Sequence, residues 1–370
     1  MHPLFGSWFL GGFECSAHKR QDGIRLDLLA STGHAARPEA DYHLLNAHGM
    51  RAARDGLRWH LIEARPGRYD WSSFLPQLHA ARDTGTTVLW DLLHYGTPNG
   101  IDVFSPRFVE RFAAFARAAA ELVRAETDAP PLWTPVNEIS FWAWAGGDTG
   151  GLNPFARGRG GELKRQLVRA TLAAAAEVRA VDPRARIATA EPLIHIFPAG
   201  RDAGAVARAI AHNEGQHEAL DLLLGRIEPE LGGHPGAIDI LGVNFYYNNQ
   251  WIDEGRPVYL GDGLYRPFSD LLAEFAGRYS RPIYIAETGT EGVFRPYWLR
   301  YIGDEVRAAI ARGVPVGGIC LYPVLSHLGW DDDRHCPNGL FTGFGADAER
   351  ATYEPMATEL AEQLRRFEAK

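Results

Sequence analysis

Short apolar runs and longer amphipathic segments alternate along the whole chain. The runs fall at residues 4–13, 56–61, 87–93, 132–136, 186–190, 238–245, 282–286 and 317–321. Most are continuously apolar, the pattern of parallel strands buried on both faces. Segments with helical spacing lie between them. At 105–124, Phe108, Phe112, Phe115, Ala119 and Leu122 recur on one face, and Ser105-Pro106 reads as N-cap and first helical residue. The Ala- and Leu-rich segment 162–181 stops before Asp182-Pro183, and the segment 296–312 ends at Gly313, a capping glycine. A last helix is expected at 354–368. Eight such alternations predict an α/β fold, a (β/α)8 TIM barrel rather than a doubly wound sheet. No repeat, low-complexity tract or linker interrupts residues 1–370, so one domain is expected.

The longest non-strand stretches each follow a strand: 139–161, 191–212, 246–265 and 322–353. In a barrel these loops build the C-terminal face, where active sites sit. Loops of such length are functional candidates.

Composition narrows the function classes. Hydrophobic residues make up 46% and charged residues 23%, which suits a packed core and not a disordered chain. The net charge is −8 without any Lys/Arg run, so no nucleic-acid partner is expected. No uncharged apolar run approaches membrane-spanning length, so no membrane partner is expected either. The Met1–Gly6 stretch has no basic region ahead of its apolar residues; no signal peptide is read, and a cytoplasmic location is expected. Cys15, Cys320 and Cys336 are too scattered for a disulfide framework or a zinc site.

Two strings carry the candidate chemistry. Thr134-Pro135-Val136-Asn137-Glu138 and Tyr284-Ile285-Ala286-Glu287-Thr288-Gly289 each deliver a glutamate where an apolar run stops. A carboxylate at the end of a buried strand is costly to desolvate unless it is paired or used. Cleavage of a glycosidic bond needs two such carboxylates, one acid/base and one nucleophile. On the fourth and seventh strands of a closed barrel they would face each other across a gap of ~5 Å, the separation for retention of configuration.

The chain resembles the family 1 glycoside hydrolases, the β-glucosidase and β-galactosidase group of the retaining (β/α)8 clan, in a shortened and divergent form. The resemblance implies that Glu138 is the acid/base and Glu287 the nucleophile, with no cofactor and no metal. It implies that Asn137 binds the sugar 2-hydroxyl. Gly56-Leu57-Arg58-Trp59 resembles the second-strand segment whose Arg lies beside the nucleophile, which assigns that role to Arg58. Asp91-Leu92-Leu93-His94-Tyr95 resembles the third-strand segment whose His binds a sugar hydroxyl, which points to His94. Leu241-Gly242-Val243-Asn244-Phe245-Tyr246-Tyr247 resembles the sixth-strand segment whose Tyr donates to the nucleophile. That assigns Tyr246, with Tyr247 an alternative because strand neighbours face opposite sides. Trp330 matches an aromatic wall after the eighth strand.

The resemblance fails at specific places. The family has Glu immediately before that Trp, where this chain has Gly329; Tyr95 and Tyr322 stand where it has Trp. These positions read the sugar's hydroxyls, so the sugar identity is left open and poor activity on simple β-glucosides is expected. Secondary candidates are Glu191 as a third site carboxylate and Glu14, His18 and Lys19 on the site floor. Asp331-Asp332-Asp333 with His335 is read as a solvated acidic loop and not a metal site. The function expected is therefore a retaining β-glycosidase with a carbohydrate substrate. Transglycosylation and sugar binding without turnover are the alternatives.

Overall fold

A computed structural model describes residues 2–369 apart from Phe344 and Ala346. Its main sheet is parallel and curls on itself. The barrel strands among the described residues are β1 (Phe9–Gly12), β2 (Ala52–Gly56), β3 (Thr87–Asp91), β4 (Leu132–Thr134), β5 in two pieces (Arg186–Ile187 and Glu191–Pro192), β6 (Leu241–Asn244), β7 (Ile283–Thr288) and β8 (Val316–Leu321). Neighbours in sequence are neighbours in the sheet, and β8 returns to pair with β1 through Phe9↔Ile319 and Leu10↔Cys320. The broken β5 closes the ring. Its first piece pairs with β4, Ala188 bridges to Ile240, and its second piece pairs with β6.

Two apolar layers follow from this closure. Inside the barrel, small and medium side chains fill the axis: Leu10, Ala52, Leu89, Leu132, Ala188, Ile240, Tyr284 and Cys320. Outside it, the strands' other faces pack on the helices. Pro106–Glu126 and Gly160–Val181 lie against each other there, and Phe108, Phe112 and Phe115 are buried around Trp59. The barrel is thus a packed core with its open chemistry at one end.

The expected helices form, at Pro106–Glu126, Gly160–Val181, Arg295–Ala311 and Glu354–Glu368. Ser105 stands at the cap position, but its hydroxyl donates to Asp102 O and makes no cap bond; Pro106 does occupy the first turn. Gly313 takes φ 89°, the left-handed conformation expected of it.

The second strand lies earlier than its apolar run suggested. Residues 56–61 were expected to be strand, yet β2 ends at Gly56 and Trp59–Ile62 is a helical turn. The true strand contains Arg54 and Asp55, both fully buried. Among the described residues no helix is long and apolar enough to cross a membrane. All three cysteines are free and buried.

Candidate active site

Glu287 lies near the end of β7, opposite Asn244 in the β6 register. Its Oε1 accepts from Arg54 Nη1 at 2.6 Å, and its Oε2 accepts from Tyr246 Oη at 2.9 Å. Arg54 comes from β2 and is 0% exposed. It also donates to both oxygens of Asp91, from Nε at 3.0 Å and Nη2 at 2.6 Å, and to Asn137 Oδ1 at 2.6 Å. A guanidinium can be buried this way only because its donors meet carboxylates and an amide oxygen in planar, forked geometry. Burial pushes the Glu287 carboxyl up to about 7; Arg54 opposes that shift and the Glu138 charge adds to it.

This geometry corrects the assignment of Arg58. The Arg58 guanidinium donates to Asp27 Oδ2 at 3.2 Å and to Ser73 O at 3.0 Å. It sits where the chain has left β2 for the Trp59–Ile62 turn, past the barrel rim. Arg54, four residues earlier and inside the barrel, is the cation beside Glu287.

Glu138 follows β4 and breaks from extended geometry, with φ 44°. Its Oε2 accepts from Tyr95 Oη at 2.6 Å and its Oε1 from Asn244 Nδ2 at 2.8 Å. Tyr95 is also left-handed, with φ 64°. Such backbone in two non-glycine residues costs on the order of 1–3 kcal/mol each and persists where the surroundings over-determine it. Burial raises the Glu138 pKa, and the nearby Glu191 charge adds to that, while the hydrogen bonds from Tyr95 and Asn244 oppose it.

Asn137 joins the two carboxylates' surroundings. Its Oδ1 accepts from Arg54, and its Nδ2 reaches Tyr95 Oη and His94 Nε2, both at 2.9 Å. His94 Nδ1 lies 3.2 Å from Asp91 Oδ2. Both ring nitrogens of His94 therefore meet protein partners, and the ring orients Asn137. Burial opposes the charged imidazole, but the hydrogen bond to Asp91 and the Glu14 charge raise the His94 pKa above its usual value.

A cavity of about 470 Å³ opens beside these groups, lined among others by Glu14, Tyr246, Tyr322, His327 and Trp330. Trp330 stands edge-on to His18 at 4.9 Å and to Tyr95 at 5.7 Å, which makes it a wall next to the Glu138 partner. Tyr247 is 44% exposed, so of the two adjacent tyrosines Tyr246 is the one that reaches Glu287. Glu191 is buried, and it accepts from the Ile139 and Ser140 backbone N–H groups at 2.5 and 3.1 Å. It caps the turn that begins at Glu138. Lys19 bridges to Arg25 in a turn and is not part of the cavity lining. Asp331, Asp332, Asp333 and His335 are exposed.

Cys15, Asp91 and His94 offer three close ligand-type atoms. Arg54 already donates to both oxygens of Asp91, so a metal ion there would have to displace the guanidinium.

No protein-family model matches the chain, and no curated protein matches it in sequence. Solved structures do match in fold. The family 1 β-glucosidase from Thermotoga maritima aligns over 96% of this chain and 96% of its own, with TM-score 0.77 and 16% identity. The same organism's β-glucosidase in complex with glucoimidazole aligns over 97% of this chain and 96% of its own, with TM-score 0.76 and 16% identity. The AHE enzyme from Alicyclobacillus herbarius aligns over 100% and 99%, with TM-score 0.79 and 16% identity. This chain has the fold of the family 1 β-glucosidases. The expected TIM barrel is therefore borne out over nearly the full length.

Within that family 1 fold, three partners of the two glutamates escaped the sequence reading. Arg54 was hidden because a strand carrying Arg-Asp does not look buried; the flanking Ala52-Ala53 and Gly56 were the available signal. Asn244 lay inside the segment already singled out, two residues before Tyr246. Tyr95 was noted only as a departure, and nothing in the sequence tied its hydroxyl to Glu138.

Proposed function

We propose that the protein is a retaining β-glycosidase acting on a β-linked glycoside or oligosaccharide. Glu287 attacks the anomeric carbon and forms a glycosyl-enzyme. Glu138 first protonates the leaving oxygen and then deprotonates the incoming water.

The observation that carries this reading is the asymmetric surroundings of two linked carboxylates. Glu287 has a buried guanidinium on Oε1 and a tyrosine hydroxyl on Oε2. Glu138 has only neutral donors and a nearby acid, Glu191. Burial and mutual repulsion favour one proton shared between such a pair near neutral pH. Arg54 draws the negative charge to Glu287, which leaves the proton for Glu138. That is the split a nucleophile and a general acid require. Asn137, oriented by Arg54 and His94, is suited to meet the 2-hydroxyl of the sugar. The Thermotoga maritima neighbours in complex with glucoimidazole and deoxynojirimycin support a sugar-shaped ligand for the cavity.

The test is covalent trapping. An activated 2-deoxy-2-fluoro β-glycoside should inactivate the protein and leave one sugar on the peptide containing Glu287. Hydrolysis of aryl β-glycosides should proceed with retained configuration when followed by proton NMR. Inverted product, or label on another residue, refutes the assignment.

A further inference from the structure

The backbone of Glu138 is held on both sides by two consecutive residues at the second piece of β5. The Glu138 N–H donates to Ala190 O at 2.8 Å. The next residue, Glu191, is 3% exposed and takes the two amides that follow Glu138. Its Oε1 accepts from Ile139 N at 2.5 Å and its Oε2 from Ser140 N at 3.1 Å. Trp142 N then donates to Glu138 O at 2.9 Å and closes the turn. The peptide groups before and after the Glu138 Cα are thus both fixed by residues 190 and 191.

That clamp accounts for the left-handed backbone at Glu138, with φ 44°. A glutamate relaxes to extended or right-handed backbone when its flanking peptides are free to turn. Such a turn would swing the carboxyl away from Tyr95 Oη and Asn244 Nδ2, its two donors. The same stretch of chain also fixes Asn244. Pro192 pairs with it in the β5–β6 register, and Leu193 N donates to Asn244 O at 3.0 Å.

Glu191 itself does not reach the substrate side. It is absent from the described lining of the cavity, and backbone N–H groups occupy both its oxygens. Two donors on two oxygens suit the ionised carboxylate, because a protonated one would need an acceptor in place of a donor. Burial raises its pKa; the bonds from Ser140 and Ile139 and the charge of Lys164 oppose that. Lys164 lies on the Gly160–Val181 helix and is paired with Glu218 at 2.6 Å. The other charge facing Glu191 is that of Glu138.

We propose that Glu191 is the positioning residue of the acid/base: its carboxylate clamps the peptide groups after Glu138, so that the Glu138 carboxyl is presented to the oxygen of the leaving group. The inference rests on the glycosidase reading and adds to it the device that aims the acid. Two consequences separate this role from simple support of the fold. Loss of aim harms only the step that needs a proton, so it depends on the leaving group. Loss of the Glu191 charge makes Glu138 ionise more readily, so the acid is lost at lower pH.

The test compares wild type, Glu191→Gln and Glu191→Ala on aryl β-glycosides whose leaving phenols span a range of acidity. Glu191→Gln keeps the shape and one acceptor oxygen for the Ile139 amide, so it carries the test if Glu191→Ala folds poorly. Rates are taken per site titrated with the fluoro-glycoside, which removes any unfolded fraction. In Glu191→Ala, kcat/KM should fall about 100-fold for the least acidic phenol and about 3-fold or less for the most acidic. Glu191→Gln should show the same trend with a smaller loss. In both variants the alkaline limb of kcat/KM should move down by about one pH unit. An equal loss for every leaving group, or an alkaline limb that stays in place in both variants, overturns the proposal. Labelling of wild type at Glu287 together with either of those results overturns the Glu191 role alone. Wild type that is neither labelled nor active on any glycoside overturns the glycosidase reading and this one with it.

Discussion

The hydroxyl of Tyr95 donates to Glu138 Oε2 at 2.6 Å, and both residues hold left-handed backbone, with φ 64° and 44°. Two strained residues, in the segments that follow β3 and β4, thus meet through their side chains. Asn137 Nδ2 donates to the same tyrosine oxygen at 2.9 Å, which fixes where the phenol points. Tyr95 is a positioning residue for the proposed acid/base.

Replacing Tyr95 by Phe should therefore move a pH profile. The Tyr95 hydrogen bond stabilises the ionised form of Glu138 against burial and the Glu191 charge. Without it the Glu138 pKa rises further. The proposed acid must be protonated, so the alkaline limb of kcat/KM should move up by about one pH unit. An unchanged limb, with activity merely scaled down, would leave Tyr95 with a packing role only.

The two glutamates should fail in different ways. Glu287→Ala should abolish turnover, and azide should restore some with inverted product. Glu138→Ala should spare the first step for substrates with good leaving groups, so that the glycosyl-enzyme accumulates. For poor leaving groups the loss should be about 100- to 10,000-fold. Equal losses across leaving groups would make Glu138 structural.

The two arginines give a direct comparison. Arg54→Ala leaves Asp91 and Glu287 buried without their cation, and should cost about 3–5 kcal/mol of stability along with activity. Arg58→Ala removes a bond to partly exposed Asp27 and one to a carbonyl, and should cost about 1 kcal/mol. Its kcat/KM should stay near wild type. Urea unfolding and steady-state assays measure both. Loss of kcat/KM in Arg58→Ala, with Arg54→Ala intact, would reverse the assignment.

A separate buried network should shape stability against pH. His34 lies between two carboxylates, with Nδ1 2.8 Å from Asp41 and Nε2 2.9 Å from Asp55. Burial disfavours its charge, but Asp55 and Asp41 outweigh that and raise its pKa to about 9. A raised folded-state pKa adds stability that is fully present below the unfolded value, near 6.5, and is lost as pH rises through about 9. The amount is on the order of 3 kcal/mol. Unfolding midpoints should fall between pH 7 and 10 in wild type, and this part of the fall should vanish in His34→Phe. The same slope in both would place the titration elsewhere.

Much of this architecture was legible residue by residue. β7 and β8 read as apolar runs because parallel strands inside helices are buried on both faces. The helix from Pro106 read from its aromatic spacing. Glu138 and Glu287 stood out because each ends such a run with a charge. β2 did not read, because its two buried faces carry charges, Arg54 towards the barrel interior and Asp55 towards His34 and Tyr42. Their burial depends on Asp91, Glu287, His34 and Tyr42, which lie on other parts of the chain.

The sequence by itself determined the alternation of strands and helices, and with it the barrel and the strand ends that bear the two glutamates. Hydrophobic periodicity is local, and it survives 16% identity to its structural neighbours. Only the tertiary structure decided which arginine faces Glu287, which tyrosine holds Glu138, and that Glu191 closes on the turn after Glu138. Each of these joins residues on, or just after, different strands that the ring brings together. The energy of a buried charge is set by the groups within a few ångströms of it in space, which its neighbours along the chain do not reveal.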